Sequence, residues 1–270
     1  MSTQTQEKNA SEITLDAFRE GKPLTYRALN ELIHNAHDQG YTTINIKNVF
    51  GQRFICAGME GPCTVNIYGT PGNDLGVFME GPTINVFGSA EDQAGNTMNA
   101  GKIIIHGNAW DVTGLAARGG SIFVKGNGGY RIGIHMKEYK NKRPAIVYGG
   151  VVKEFFGEYM AGGALVVLGL EEKEGKWMNN TALPIVKGSL GTGIHGGIIL
   201  VRGEVNPELL GVGATIQELC TKDMVILKRL IKEFCKYFGV SEELVFKKEF
   251  TKIAAGSSRP FAHFYCVNPI

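Results

Sequence analysis

Short apolar runs ending in glycine recur along this chain at a fixed step. V-N-I-Y-Gly69, I-N-V-F-Gly88, I-I-I-H-Gly107 and I-F-V-K-Gly126 stand 19 residues apart. A second series, Gly76, Gly95, Gly114 and Gly133, keeps that step and continues to Gly157 after 24 residues and to Gly191 after 34. The two longer steps equal one repeat plus an insertion, placed at the polar runs 137–143 and 171–180. A step this regular marks a solenoid, in which each repeat buries its apolar face only against its neighbours.

Alternation inside each repeat gives the geometry. Counting back from the closing glycine, positions −4 and −2 read Val65/Ile67, Ile84/Val86, Ile103/Ile105, Ile122/Val124, Ile146/Tyr148, Leu165/Val167 and Ile199/Val201, with Ile44/Ile46 as an earlier, less regular coil. Period-two alternation of mostly β-branched residues predicts a strand with one buried face. Stacking like on like at a constant step predicts parallel ladders about 4.8 Å apart, and about eight coils would give a rod of roughly 40 Å. Left-handed coils of the acyltransferase type repeat every six residues and so close after 18. The expected fold is therefore an all-β core, a right-handed parallel β-helix of about eight coils with a period of 19 residues.

A second inward ladder follows the second glycine series by three residues: Met79, Met98, Ala117, Met136, Met160 and Ile194. Thioethers adapt to tight stacked interiors, so this series is expected to fill the core rather than to hold a metal or haem. The glycines Gly69, Gly76, Gly88, Gly95, Gly107, Gly114, Gly126, Gly133, Gly157 and Gly191 are expected at corners that need a left-handed backbone or a close approach.

The open ends of such a rod need covers. Thr25 can cap a helix of 26–39 that carries Leu29, Leu32, Ile33 and Ala36 on one face and stops at Gly40. A second helix is predicted from Asp223 to Phe238, with Leu227, Ile231, Phe234 and Phe238 before Gly239. The chain thus divides into an N-terminal helical cap at 1–40, the β-helix at 41–204 and a mostly helical C-terminal arm at 205–270.

At this point the residues have a likeness. The repeat G-x6-G-x4-G, with G-N-T-M-N-A-G (95–101), G-E-Y-M-A-G-G (157–163) and G-T-G-I-H-G-G (191–197), resembles the GXGXG domain of the glutamate synthase large subunit. G-Y-R-I-G-I-H-M-K-E-Y (129–139) is similar to its stand-alone subunit form in particular. The C subunit of formylmethanofuran dehydrogenase shares the glycine-rich coils, but the E-Y-M-A-G-G match favours glutamate synthase. The resemblance implies a non-catalytic structural subunit of an oxidoreductase complex that makes glutamate from glutamine and 2-oxoglutarate. It implies that FMN and iron–sulfur clusters sit in partner subunits, with none in this chain. The implied partners are an amidotransferase subunit and an FMN-domain subunit, and a homo-oligomer is also compatible. A free-standing β-helix enzyme, an acyltransferase or a lyase, is the reading from another class.

Totals exclude several functions. A formal net charge of +2 offers no general attraction to nucleic acid or an anionic membrane. The cysteines Cys56, Cys63, Cys220, Cys235 and Cys266 form no C-x-x-C pair, which suits free thiols in a reducing compartment. The start, Met1 to Glu12, is polar, and no apolar run reaches the ~18 residues of a membrane span, so a cytoplasmic protein is expected.

Gly191-Thr192-Gly193-Ile194-His195-Gly196 matches G-x-G-x-x-G, but a β run follows where a dinucleotide site needs a helix. His34 and His37 on the first helix read as an exposed pair. One step past the methionine ladder, Glu80, Asn99, Arg118, Lys137, Ala161 and His195 should point outward. With Arg131, His135 and Tyr159 beside them, Arg118, Lys137 and His195 form either a candidate polar groove for an anion or a proton or a solvated or partner-facing polar ladder. A second outward ladder (Ile104, Phe123, Val147, Val166, Leu168, Leu200) is apolar, so either the C-terminal helix packs over it or another subunit does.

Overall fold

The computed structural model describes residues 11–257. Strands β1 (Glu12–Asp16), β2 (Phe18–Arg19) and β3 (Lys22–Pro23) precede helix α1 (Tyr26–Asp38). The coil strands follow: β4 (Thr43–Phe50), β5 (Thr64–Thr70), β6 (Glu80–Phe87), β7 (Ala100–Ile105), β8 (Ser121–Val124), β9 (Ala145–Tyr148) and β10 (Ala161–Val167). A hairpin of β11 (Leu170–Lys173) and β12 (Lys176–Asn179) precedes β13 (Gly196–Arg202) and β14 (Ala214–Gln217). Helices α2 (Thr221–Phe238) and α3 (Glu242–Phe246) and strand β15 (Phe250–Ala255) complete the order. The chain is mostly β, wound as a β-helix of about six turns with few helices. Among the described residues no helix is long and apolar enough to cross a membrane.

The inward ladders stand in the register that their sequence positions require. Ile44 pairs with Val65, Val65 with Ile84, Ile84 with Ile103 and Ile103 with Ile122. The column continues through Ile146 and Leu165 to Ile199. The second column runs from Ile46 through Ile67, Val86, Ile105, Val124, Tyr148 and Val167 to Val201. Every member of both columns is at most 2% exposed, and so is the methionine ladder from Met79 to Ile194. The first coil is less regular because β4 and β5 shift register between Ile46 and Val49. The insertion at 171–180 lies over the hairpin β11–β12, and the one at 137–143 contains a tight turn closed by a Tyr139–Lys142 bridge.

The corners are tighter than glycine alone explains. Backbone φ is positive at the second-series glycine and also two residues before and after it, as at Val112 (61°), Gly114 (72°) and Ala116 (52°). A β-branched residue in the left-handed region is a genuine outlier. Hydrogen bonds to neighbouring coils hold the corner there. The Val112 and Ala116 amides donate to Tyr130 and Ile134 on one side, and the Gly114 amide donates to Ala94 on the other, each at 2.8 Å. Side chains complete the corners. Ser89 Oγ accepts from the Asn108 amide, Asn108 Oδ1 from the Asn127 amide and Asn127 Oδ1 from the Val151 amide.

Outside the coil, helix α1 begins at Thr25, whose side chain accepts from the Ala28 amide, and buries Leu29, Ile33 and Ala36 in the main core. Helix α2 packs over the outward apolar ladder. Leu227, Leu230, Ile231, Phe234 and Phe238 form a second core with Ile104, Phe123, Val147, Val166, Leu168 and Leu200. Each such side chain contributes roughly 1.5–3 kcal/mol on burial. Where α2 ends, the same outward position changes character to Asn45, Asn66 and Asn85. Asn85 Nδ2 donates to Asn66 Oδ1 at 2.8 Å, Asn66 Nδ2 to Asn45 Oδ1 at 2.9 Å, and Asn45 Nδ2 to the Glu12 carboxylate. Five strands, β1, β2, β3, β14 and β15, fall in the flanking segments expected to be helical or mostly helical. Strand β1 pairs in parallel with β4, and β15 and β14 extend the sheet antiparallel beyond β13.

A methyl group added at Gly114 would lie 2.2 Å from Ile146 Cδ1 inside the packed ladder, whereas at Gly58, also left-handed, nothing lies within 4 Å. Gly114→Ala is therefore expected to cost roughly 2–4 kcal/mol, combining backbone strain with overpacking, and Gly58→Ala about 1 kcal/mol. Denaturant unfolding of both variants checks this; equal losses would show that the interior has room.

Candidate functional site

The predicted outward polar ladder is built by the same register. The amides of Glu80, Asn99, Arg118, Lys137, Ala161 and His195 donate to the carbonyls of Met59, Met79, Met98, Ala117, Met136 and Met160, one coil back in each case. These residues therefore climb one edge of the coil rung by rung, about 4.8 Å apart. Arg118, Lys137 and His195 are exposed and have no side-chain partner among the described residues.

Their neighbours are partly spent on one another. Arg131 Nε donates to the buried Glu158 carboxylate at 2.8 Å, and its guanidinium lies 4.6 Å from the centre of the Phe155 ring. The His135 and Tyr159 rings stack with centroids 5.4 Å apart and planes 12° from parallel. A Cβ at Gly193 would fall 2.5 Å from Tyr159 Cδ1, so the phenol lies against bare backbone of the next coil. The left-handed backbone at Arg131, His135 and Tyr159 aims these side chains off the corner. The insertion at 137–143 returns over the same edge, where Lys142 pairs with Glu80. The edge is thus an open, mainly cationic strip with a stacked imidazole–phenol pair. Such a strip can attract an anion or an acidic surface.

The other sequence candidates are placed as follows. The glycine-rich stretch 191–196 forms a coil corner and runs directly into β13. His37 is not part of an exposed pair. It is half-buried, with Nε2 2.8 Å from the Glu60 carbonyl, because α1 lies along the first coil. Cys56, Cys63, Cys220 and Cys235 are free thiols, and Cys266 lies outside the described residues. Burial pushes the Cys56 and Cys63 thiols up. Burial, with the Glu242 charge, pushes Cys235 up to about 11. Thiols held protonated in this way are poor nucleophiles. Among the described residues no cluster of His, Cys, Asp and Glu is grouped to hold a metal ion.

Two arrangements escaped the sequence. Under the hairpin β11–β12 lies a cavity of about 260 Å³ lined by His106, Lys125, Glu172 and Trp177. There Lys125 pairs with Glu172 and lies 5.7 Å from the Trp177 ring centre. Burial, together with the Lys125 charge, holds the His106 imidazole below its ordinary range. The second is Arg202, which is fully buried. It donates to the carbonyls of Val245 (2.6 Å), Leu244 (2.9 Å) and Leu168 (3.4 Å) and to Asn179 Oδ1 (2.8 Å). One guanidinium thus ties β13 to the hairpin and to α3.

With the glycine corners and stacked ladders in place, a family model described as "GXGXG motif" matches residues 24–256. The chain belongs to the GXGXG motif family. An uncharacterized protein of Methanocaldococcus jannaschii, MJ1350, is 49% identical over 265 residues, spanning 96% of this chain and 98% of that one. The GXGXG match covers the whole coil together with α1, α2 and β15, so the helices that seat on the coil fall within the family's boundaries.

Replacing Arg202 by Met would leave Asn179 Oδ1 and three carbonyls unpaired. The expected cost is about 3 kcal/mol, felt first in the C-terminal arm. Hydrogen exchange should accelerate across 221–255 while the Ile84 and Ile103 amides stay protected. Uniform acceleration along the chain would refute a local tie.

Proposed function

We propose that this chain is the non-catalytic structural subunit of a glutamate-synthase-type complex. It would scaffold a separate amidotransferase subunit and subunits carrying FMN and iron–sulfur clusters, and hold no cofactor itself. The observation that supports this is the filled interior. Two strand columns and the methionine ladder occupy the inside of the coil with side chains at most 2% exposed, so the coil is a strut and not a container. Family membership over 24–256 supports the same role. In this role the coil winds right-handed in about eight coils, the described segments that flank it act as covers, and the protein works in the cytoplasm. The polar strip at Arg118, Lys137 and His195 is then a surface turned towards a partner.

The test is purification from native lysate with the visible spectrum recorded, followed by assay of glutamate formation from glutamine and 2-oxoglutarate. The isolated chain is expected to be colourless and inactive, and its co-purified assembly to carry flavin and activity. Turnover by the lone chain would defeat the proposal. Molybdenum or tungsten in the assembly would point instead to a formylmethanofuran-dehydrogenase-type complex.

A further inference from the structure

Helix α2 spends both of its acids on being seated. Asp223 accepts from the Cys220 amide at 3.0 Å and pairs with Lys252 at 2.8 Å, while Glu233 pairs with Lys102 of β7. The outer face of the helix is left with Lys222, Val225, Lys228, Arg229, Lys232 and Lys236, all exposed. None of these cations has an ion-pair partner among the described residues. Lys228, Lys232 and Lys236 follow one another at four-residue steps, where like charges repel and weaken a helix. An isolated chain gains nothing from that arrangement.

A second element faces the same stripe. The insertion at 137–143 and α2 enclose a cleft of about 420 Å³ lined by Lys140, Asn141, Arg143, Val225, Ile226 and Arg229. The carboxylate beside it, Glu138, is engaged by Arg143 at 2.9 Å. Val225, 64% exposed, places an apolar spot at the centre of the charge.

We infer that this face is a docking surface for a carboxylate-rich stretch of another polypeptide, which lays acidic side chains along α2 and into the cleft. Charge complementarity selects the occupant's sign, and the apolar centre selects its class. Val225 and Ile226 suit a protein side chain, whereas a phosphate backbone has no use for them, and none of the residues lining the cleft is aromatic, the ring of Tyr139 in the insertion lying 5.2 Å from the Lys140 ammonium. From Lys222 to Lys236 the stripe spans roughly 21 Å, the footprint of one helix or loop. The inference rests on the subunit role above and adds which face and which chemistry bind the partner.

The test uses the native assembly and a zero-length carbodiimide, which joins an amine only to a carboxylate in direct contact. Lys228, Lys232 and Lys236 are expected to couple to aspartate or glutamate side chains of one other polypeptide. The triple reversal Lys228→Glu, Arg229→Glu, Lys232→Glu should lower recovery of that polypeptide by roughly tenfold or more. The melting temperature of the chain should hold, because the three side chains are exposed and have no ion-pair partner to lose among the described residues; the matching Lys→Arg changes should retain the partner. An assembly that keeps its composition after reversal would refute the face while leaving the subunit role intact, and loss of the partner on nuclease treatment would assign it to nucleic acid instead. A chain that purifies alone defeats the subunit role. The face is then decided by titration with a synthetic oligoglutamate peptide, where binding lost on reversal sustains it and no binding ends it.

Discussion

Stacked rungs of equal length govern this molecule. A parallel ladder closes its hydrogen bonds only if each coil returns to the same height and phase, because a shift of one residue would turn every inward side chain outward. Ile84, Ile103 and Ile122 can lie above one another only under that condition. Extra residues must therefore leave the coil at a corner. The chain obeys this at both insertions, the turn around Tyr139–Lys142 and the hairpin β11–β12. The polar strip at Arg118, Lys137 and His195 consequently climbs an edge of the coil and not its interior.

The same condition makes the corners expensive. A short coil turns by alternating left-handed residues, and at Gly76, Gly95, Gly114, Gly133 and Gly157 glycine fills only the middle one of the set. Asp74, Gln93, Val112 and Arg131 precede it and Phe78, Thr97, Ala116 and His135 follow it, each with positive φ. Backbone amides donated up and down the stack offset that strain. The strained positions project their side chains off the rod, which is how Arg131, His135 and Tyr159 come to stand beside the polar ladder.

Much of this was legible because a solenoid repeats its own evidence. Aliphatic residues at two fixed positions in successive repeats leave one arrangement that buries them all, and the register follows from counting. The cover of the outer ladder was left open between α2 and another subunit, since periodicity does not say which apolar surface a helix meets. Strands β1, β14 and β15 were missed because E-I-T-L-D, A-T-I-Q and F-T-K-I-A-A carry no repeat glycine and pair with strands distant in sequence. Arg202 carried no local signal at all. Its partners, Leu168, Asn179, Leu244 and Val245, come together only in three dimensions. For the polar strip, the order of residues up the edge was readable. The side chains that neutralise Arg131 and Glu80 were not.

The outer sheet face has one more property. Isoleucine, phenylalanine, valine and leucine line it beneath α2, and asparagine begins where the helix stops, with Phe238 resting edge-on against His106. The face is in effect a ruler that records how long its covering helix is. Any lengthening or trimming of that helix by a turn would have to be matched by rewriting one graduation, so the two segments are constrained to evolve as a pair although more than a hundred residues separate Asn85 from Thr221.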